Sequence, residues 1–423
     1  MRTQAAGRPT LANDRISRAI FEYAAKIGAA QDLEALLVLN ADMARDLVGA
    51  DRCSIWLIDA RNNCLWTKVA HGVKELHIPI GQGLVGACVA RDAAILVNDA
   101  ARDERFLHSV DRESGYVTKS VLAVPLRGMD GKPMGALQVL NKPGGFSPED
   151  VDLLGLCGSY SASTLESQRL RKEAEGMQLL LQELEIAREV QQHLLPQSYP
   201  PIPGLDYAGY CRSARFVGGD YYDFLPMRDG GLLFTIGDVS GKGIAAAVLM
   251  ASIQASLRSH VVTPPASLAT LIGEFNRAVY SFSTEDKYST LFCGLMDVRS
   301  RKLTYVNAGQ VRPMLLRSND GQVERLKAGG FPVGMLDASE YDQQEVLLQS
   351  GDAVLCFSDG ISEATNAKNE MWNEAEVKKV FRTCRGLTAQ QTIDALVEAA
   401  DRFTGQAEQS DDMTVIAAVM GTF

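Results

Sequence analysis

Apolar residues in the first third of the chain recur at helical spacing and then in short runs. Residues 16–47 repeat apolar positions every three or four residues, which predicts helical structure. The runs CSIWLI, CLWTKVA, AAILVN, SVLAVPL and GALQVL follow, separated by turn residues, and predict strands. We therefore expect a sheet with flanking helices in an N-terminal domain over residues 16–165.

A long helix is predicted next, ending near Leu194. It opens with Ser147 as a cap, a proline in the first turn and two acids at the positive end of the helix dipole. Glu173 and Gln191 interrupt an apolar heptad stripe in its second half. The stripe predicts a coiled-coil linker over residues 166–195, with a helix packed on its own domain as the open alternative. The apolar a and d positions are Leu170, Met177, Leu180, Leu184, Ala187 and Leu194.

The segment PQSYPPIPG ends this helix, because its prolines lack the amide donor and fix φ. Beyond it, strand-like runs such as GLLFTIGDV, STLFCGLMDV, DAVLCFSDG and DMTVIAAVM mix with helical segments. The pattern predicts a mixed α/β domain over residues 196–423.

Composition narrows the classes of function. With 42 basic and 52 acidic residues the net charge is −10, which argues against nucleic-acid binding. The longest apolar runs, such as residues 244–253, are half the length that a bilayer requires, so we expect a cytoplasmic protein without membrane contact. The eight cysteines form no C-x-x-C pair and the five histidines have no zinc-ligand spacing, which predicts reduced thiols and no zinc site.

Aspartates recur beside glycine or another acid at the predicted strand ends of the C-terminal domain. Any one of them is most often a turn or capping residue. Four such motifs in one domain indicate a cluster of carboxylates that repel one another unless cations lie between them. An all-oxygen site suits Mg²⁺ or Mn²⁺, and two such ions can generate a hydroxide for in-line attack on phosphorus. The motifs are VGGDYYDF (Asp220, Asp223), IGDVSGKG (Asp238), CFSDGISEA (Asp359) and QSDDMTVI (Asp411, Asp412).

The stretch IGDVSGKGIAAA also has the glycines and the lysine of a phosphate-binding loop. Gly237 and Gly241, which precede Lys242, are one residue too close together, and Gly243 stands where serine or threonine should follow, so it is not a P-loop. Asp238 is therefore the predicted chemical residue of this stretch. Lys242 is predicted to be a solvated or substrate-facing charge.

These motifs, together with NAGQVRPML, resemble the SpoIIE/RsbU branch of the PPM metal-dependent serine/threonine protein phosphatases, over about residues 185–419. The resemblance implies an α/β/β/α sandwich with two Mn²⁺ or Mg²⁺ ions at one end. It also implies a phosphoprotein substrate, namely a phosphorylated STAS-domain anti-sigma-factor antagonist.

The resemblance further implies the roles of individual residues. Asp238 would bridge both metals, with the carbonyl oxygen of Val239 on one of them. Asp359 and Asp411 would hold the other metal, and Asp220 would act through metal-bound water. Asp238, Asp359 and Asp411 form the implied catalytic set.

Three positions match the family pattern only approximately or depart from it. Arg215 has the approximate spacing of a phosphate-contacting arginine in eukaryotic relatives, and an exposed surface arginine is the alternative. Ser240 stands where eukaryotic relatives have a histidine that protonates the leaving group. Gln310 stands where the branch commonly has histidine. None of the three is an implied metal ligand.

The N-terminal domain resembles a GAF domain through IPIGQGLVGACVARDAAILVNDAARDERF, SVLAVPLRGMDGKPMGALQVLNK and FSPEDVDLL. Asn141, Lys142, Phe146 and Asp150 match a signature of nucleotide-binding members, but Val151 replaces its final acid. We expect a structural ion pair between Lys142 and Asp150, which leaves a small-molecule GAF ligand open.

The combined prediction is a GAF-regulated protein phosphatase that forms a homodimer through the linker helix. A diguanylate-cyclase-like enzyme is one alternative, because GGDYYDF superficially resembles GGDEF. A non-catalytic sensor or binding module is the other.

Overall fold

The computed structural model describes residues 18, 21–23, 25–27, 33–70, 76–262, 267–284, 286–327 and 329–421. The chain divides into two compact units, Met1–Gln178 and Leu179–Phe423. Most of the helix predicted to begin at residue 16 lies outside the described residues until Leu33.

The first unit is built on one six-stranded sheet, in the order β3-β2-β1-β6-β5-β4, with antiparallel neighbours. Alternate residues of a strand face opposite sides. On β5, Leu122 and Val124 pack with α1 and α4, whereas Val121 and Ala123 pack with α2. The elements are α1 (Leu33–Val48), β1 (Arg52–Asp59), β2 (Cys64–Ala70), β3 (His77–Pro79), α2 (Gly83–Arg91), β4 (Ile95–Val97), α3 (His108–Ser114), β5 (Val121–Arg127), β6 (Pro133–Leu140) and α4 (Pro148–Leu194).

Helix α4 runs from one unit into the next along the chain. It begins at Pro148 and ends at Leu194, directly before the proline-rich segment, as predicted. Its first part is anchored in the core of the first unit through Leu154 and Leu165. Among the predicted a and d positions Leu170, Met177 and Leu180 are exposed, Leu184 is half-buried, and Leu194 packs against a core of the second unit. Other exposed apolar residues of this part of the helix are Leu179, Leu181, Ile186 and Val190.

The second unit contains two five-stranded sheets, β14-β11-β10-β9-β8 and β13-β12-β15-β16-β7. Its elements are β7 (Leu205–Arg212), β8 (Tyr221–Pro226), β9 (Leu232–Val239), α5 (Ile244–Val262), α6 (Leu268–Phe282), β10 (Ser289–Asp297), β11 (Lys302–Ala308), β12 (Met314–Leu316), β13 (Val323–Arg325), β14 (Gln344–Leu347), β15 (Ala353–Phe357), α7 (Asp359–Ser362), α8 (Asn373–Thr383), α9 (Ala389–Thr404) and β16 (Met413–Met420).

Residue alternation on the strands produces four layers. Phe234 of β9 and Ile416 of β16 meet in the core between the sheets. Leu233 packs outward with α5 and α6, and Val415 packs outward with α8 and α9. The predicted α/β/β/α sandwich is confirmed.

Helix α5 is more apolar than a typical surface helix. By length and composition alone it could cross a membrane, although core helices of globular proteins pass the same test. Four of its residues (Ala246, Met250, Ile253 and Leu257) belong to the core beneath the first sheet. Packing within the sandwich accounts for these four residues, whereas Ile244, Val248 and Val262 are exposed.

Candidate active site

Four strand ends bring aspartates to one edge of the sandwich. Asp220 directly precedes β8, and Asp238 is the last residue but one of β9, the antiparallel neighbour of β8. In the other sheet, Asp359 begins the helix that follows β15, and Asp411 lies two residues before β16, the neighbour of β15. The carboxylates of Asp359 and Asp411 act electrostatically on Asp238 from the opposite sheet. The structure therefore brings the four predicted side chains together.

Asp220 is a buried carboxylate without a counter-charge. Its side chain is 4% exposed, and Oδ2 has no hydrogen-bond partner among the described residues. Burial, followed by the charges of Asp238 and Asp412, raises the pKa of Asp220 well above its ordinary value. A cation beside this carboxylate would stabilise its ionised form.

Asp238 lies at the centre of the acidic cluster. Burial and then the charges of Asp359, Asp411 and Asp412 raise the pKa of Asp238 to about 7. The carbonyl oxygen of Val239 lies close to the backbone of Gly219, the residue before Asp220. A Cβ on Gly219 would come within 2.8 Å of this oxygen. Glycine is thus required there for the backbone to pass beside this carbonyl.

The second sheet supplies three acidic residues. Burial, followed by the charge of Asp411, raises the pKa of Asp359. Burial and the charges of Asp359 and Asp411 also raise the pKa of Glu363, one helical turn after Asp359. Glu363 is a neighbour of the site that the sequence analysis did not select.

Asp412 anchors the loop that carries Asp220. Its Oδ1 accepts the amide hydrogen of Ala214 at 2.8 Å, and its Oδ2 accepts that of Gly219 at 2.8 Å. A Cβ on Gly218 would approach Asp412 Oδ2 to 2.2 Å, so this tight contact also depends on glycine. Gln191 of α4 holds the same loop, with its side-chain amide bonded to the amide hydrogen and carbonyl of Gly218 at 3.0 and 2.7 Å.

Asp223 does not belong to the cluster, although it shares a motif with Asp220. Its side chain is 1% exposed and forms a two-point ion pair with Arg258 of α5, at 2.6 and 2.9 Å. It is a structural residue that joins β8 to the helix layer.

The three positions that qualified the family resemblance now have defined environments. The hydroxyl of Ser240 accepts the amide hydrogen of Tyr288 at 3.0 Å and lies 3.3 Å from the carbonyl of Asp286, so it holds a loop. Gln310 is 6% exposed, and its Oε1 accepts from the Thr290 hydroxyl at 2.7 Å. Arg215 is exposed and lines the cavity described next.

A cavity of about 230 Å³ opens beside the carboxylates. Its lining combines the carboxylates of Asp238, Asp411 and Asp412 with the cationic side chains of Arg215 and Lys242. Buried Asp220, which has an orphan oxygen, is close enough to Asp238 for their charges to interact. These carboxylate oxygens fit hard divalent cations. No three acidic, histidine or cysteine side chains within the described residues form a ready ligand group. Both oxygens of Asp411 are already engaged: Oδ2 by the Lys242 ammonium at 2.7 Å and Oδ1 by the amide of Asp412 at 3.0 Å.

Comparison with protein families assigns both units. The family model for stage II sporulation protein E (SpoIIE) matches residues 228–420, and the GAF model matches residues 32–165. The chain joins a GAF domain to a SpoIIE-type phosphatase domain. The elements from α1 to β6 and the first part of α4 lie within the GAF match, and those from β9 to β16 lie within the SpoIIE match. The cyclase-like alternative is wrong.

Individual relatives agree with this assignment. Protein IcfG of Synechocystis sp. is 26% identical over 299 residues, which cover 64% of this chain and 46% of IcfG. Phosphoserine phosphatase RsbU of Bacillus subtilis is 28% identical over 281 residues, covering 64% of this chain and 80% of RsbU. The chain thus spans about half the length of IcfG and most of RsbU.

The fold of the phosphatase domain also has a solved counterpart. The SiaA-PP2C domain of Pseudomonas aeruginosa matches with a TM-score of 0.53 and 20% identity, covering 58% of this chain and 99% of that one. This likeness supports the sandwich fold.

The GAF domain has a cavity of about 90 Å³ lined in part by Arg52, Trp56, Phe106 and Tyr116. The signature residues lie elsewhere in the described part of the domain. Lys142 pairs with Asp150 at 2.6 Å, which is the structural ion pair that we expected.

The remaining signature residues tie the segment between β6 and α4 to two other loops of the domain. Asn141 accepts the amide hydrogen of Lys119 at 2.7 Å, and the amide hydrogen of Phe146 is donated to Asn98 at 2.7 Å. They therefore contribute to the fold rather than to the wall of the cavity.

The sequence did not reveal the residues that hold the loop before Asp220 in place. Asp412 was visible as the second acid of a doublet, but its bonds to Ala214 and Gly219 link positions about 200 residues apart. Gln191 was interpreted only as a break in the heptad stripe. Its pairing with Gly218 leaves no sequence signal.

Proposed function

We propose that this protein is a divalent-metal-dependent phosphatase that removes phosphate from serine or threonine of a phosphorylated protein in the cytoplasm. The observation that carries the proposal is the meeting of Asp220, Asp238, Asp359 and Asp411 at one edge, where Asp220 and Asp238 lack counter-charges. The domain assignment supports the same reaction.

The residues that would hold two Mn²⁺ or Mg²⁺ ions are Asp220, Asp238, Asp359 and Asp411 and the carbonyl of Val239, with Asp238 between the ions. When bound, such ions stabilise the charge of the phosphoryl group and lower the pKa of water. The proposed catalytic set is Asp238, Asp359 and Asp411.

The other residues of the cavity bind and orient the substrate. Arg215 lies exposed on the cavity wall, where its guanidinium can contact phosphate oxygens. Ser240 is bonded to the backbone of a neighbouring loop, so no side chain replaces the histidine at this position. Solvent then supplies the proton that the leaving serine or threonine oxygen requires.

The substrate that we propose is a phosphorylated STAS-domain anti-sigma-factor antagonist. The similarity to RsbU, whose name describes a phosphoserine phosphatase, supports a phosphoserine protein. Incubation of the full chain with such a phosphoprotein and Mn²⁺ should release phosphate, whereas EDTA or Asp359→Asn should abolish release. Retention of full activity in Asp359→Asn would overturn the assigned mechanism. A STAS protein that keeps its phosphate is excluded as the substrate.

We further propose that the GAF domain controls the phosphatase through α4 and that α4 pairs with a second copy. Exposed Leu180, Ile186 and Val190 support a homodimer. Light scattering at micromolar concentration should give twice the chain mass, and Leu180→Glu combined with Ile186→Glu should give the monomer. A wild-type monomer would contradict the pairing. If residues 171–423 alone have a turnover number different from that of the full chain, the GAF domain controls the phosphatase. An equal turnover number would exclude this control.

A further inference from the structure

Lys242 contacts a predicted metal ligand. Its Nζ donates to Asp411 Oδ2 at 2.7 Å and to the carbonyl of Ser410 at 3.1 Å. It lies between Gly241 and Gly243, which both have left-handed φ values, of 96° and 78°. The two glycines let a short loop turn the lysine back toward the start of β16.

The contact gives the acidic cluster its only observed ion pair among the described residues of the site. Asp220 has an oxygen without a partner, and Asp238 faces other carboxylates. Asp411 is instead neutralised by a cation that the chain carries itself.

A divalent ion at Asp411 would have to share this oxygen with the ammonium. Metal-to-carboxylate distances of about 2.0–2.2 Å would place a double positive charge within a few ångströms of Nζ. The two cations repel each other at that range. Because the Lys242 side chain is 48% exposed, it can leave for solvent without unpacking the core.

We propose that Lys242 is a tethered cation that holds Asp411 in the metal-free protein and leaves it when a divalent ion binds. This inference rests on the proposed function and deepens it. The lysine competes with the ion that Asp411 would hold and sets its affinity. Displaced from Asp411, the ammonium remains on the wall of the cavity that receives the phosphate.

The test is Mn²⁺ binding to the full chain, measured by calorimetry and by electron paramagnetic resonance of free Mn²⁺. Lys242→Met should tighten the weaker binding step about tenfold, since the competing charge is gone. Lys242→Arg should bind like the wild type, because a guanidinium can also pair with the carboxylate. An unchanged or weakened affinity of Lys242→Met would overturn the proposal.

Lys287 provides a matched control for the loss of one positive charge. Its Nζ lies 2.9 Å from the position of a Cβ on Gly241, but it pairs with Asp286, which is not a proposed ligand. Lys287→Met should leave both Mn²⁺ affinities within about twofold of the wild type. An equal gain in Lys242→Met and Lys287→Met would reduce the effect to general charge and contradict a specific competition.

A second readout is independent of metal binding. Without metal, Lys242→Met should lower the melting temperature, because Asp411 loses its counter-charge among like charges. With saturating Mn²⁺ the difference should disappear. A variant that melts like the wild type without metal would contradict the proposal.

Failure of this inference can be separated from failure of the proposed function. A wild-type chain that binds no Mn²⁺ would refute the metal-dependent phosphatase itself. A wild-type chain that binds Mn²⁺ and releases phosphate, together with unchanged binding in Lys242→Met, would refute only the role of Lys242.

Discussion

Buried aspartates occur in both domains, but their surroundings differ. In the GAF domain, Asp150 is 6% exposed and both of its oxygens accept from the Lys142 ammonium, at 2.6 and 2.7 Å. In the phosphatase domain, Asp220 is similarly buried, and its principal charged neighbours are the carboxylates of Asp238 and Asp412. Both carboxylates bear the cost of desolvation, but only that of Asp150 is offset by a counter-charge among the described residues.

The same contrast occurs within a single strand. Asp223 lies three residues after Asp220 and is equally buried, yet it pairs with Arg258. Burial alone therefore does not distinguish a ligand from a structural carboxylate. Between these two residues the distinguishing feature is the counter-charge, which Asp223 has in Arg258 and Asp220 lacks among the described residues, so an external cation would lower the free energy more at Asp220.

The largest expected effect comes from replacing Asp238, which faces other carboxylates, and comparing the result with replacement of Asp223, which pairs with Arg258. Asp238→Asn should lower kcat/KM for a phosphoprotein by about 10³-fold or more, since the charge that would hold two cations is removed. Asp223→Asn should instead lower the free energy of unfolding by about 1–3 kcal/mol and keep Mn²⁺ binding. Phosphate release and urea unfolding measure the two effects. An active Asp238→Asn variant would erase the distinction between the two aspartates.

The unpaired carboxylates also predict an unusual pH dependence of the metal-free protein. The raised pKa values of Asp238, about 7, and of Asp220 mean that the folded state binds protons which the unfolded chain releases. Their contribution to stability is complete below about pH 4 and is lost as the pH rises through about 7, a change of a few kcal/mol.

Urea unfolding in EDTA at pH 5 and pH 8 tests this dependence. Asp238→Asn should reduce the loss of stability between the two values, and saturating Mn²⁺ should protect the wild type at pH 8. If the wild type and Asp238→Asn showed the same pH dependence, the pKa of Asp238 would not be raised.

Asp412 tests whether the loop before Asp220 must be held in place. Asp412→Ala removes the acceptors of two backbone amides and should lower kcat/KM about 10- to 100-fold, because charge-assisted hydrogen bonds of this kind contribute about 1.5–3 kcal/mol. Asp412→Asn keeps one acceptor oxygen and should fall between the alanine variant and the wild type. Kinetics over a Mn²⁺ titration would show the change, and equal rates for all three proteins would contradict the role.

The smallest expected effect is in the GAF domain. Asp150→Asn should lower the unfolding free energy of that domain by about 1–2 kcal/mol, since Lys142 is partly exposed and can regain water. Differential scanning calorimetry would resolve the transition, and Mn²⁺ affinity should stay unchanged. A loss of Mn²⁺ affinity would show that the paired carboxylate does more than stabilise its domain.

The sequence predicted those features that depend on local pattern. Short apolar runs bounded by turn residues identified β5, β9 and β16, and the serine cap and prolines delimited α4. The aspartates at strand ends could be selected because glycine and acidic neighbours mark them in the sequence itself. The residue pattern was therefore enough for a mixed α/β domain and a carboxylate cluster, whereas the α/β/β/α sandwich and the roles of the individual ligands were implied by the resemblance of the motifs to the phosphatase family.

The remaining features depend on contacts between distant residues. Lys242 and Asp411 are 169 positions apart, and Asp223 and Arg258 join a strand to a helix. No local pattern indicates which of two nearby aspartates receives an arginine. The same limit applies to Gln191, whose bonds with Gly218 require the folded loop.

The four carboxylates come from four separate strand ends, and this has a consequence for the order of folding. Asp220, Asp238, Asp359 and Asp411 come together only after β8, β9, β15 and β16 have paired within their sheets and the sheets have stacked. Contacts of such high sequence separation form late, because loop closure must come first. Cation capture should then be among the last events in assembly, and partly folded chains would neither sequester Mn²⁺ nor hydrolyse phosphoproteins.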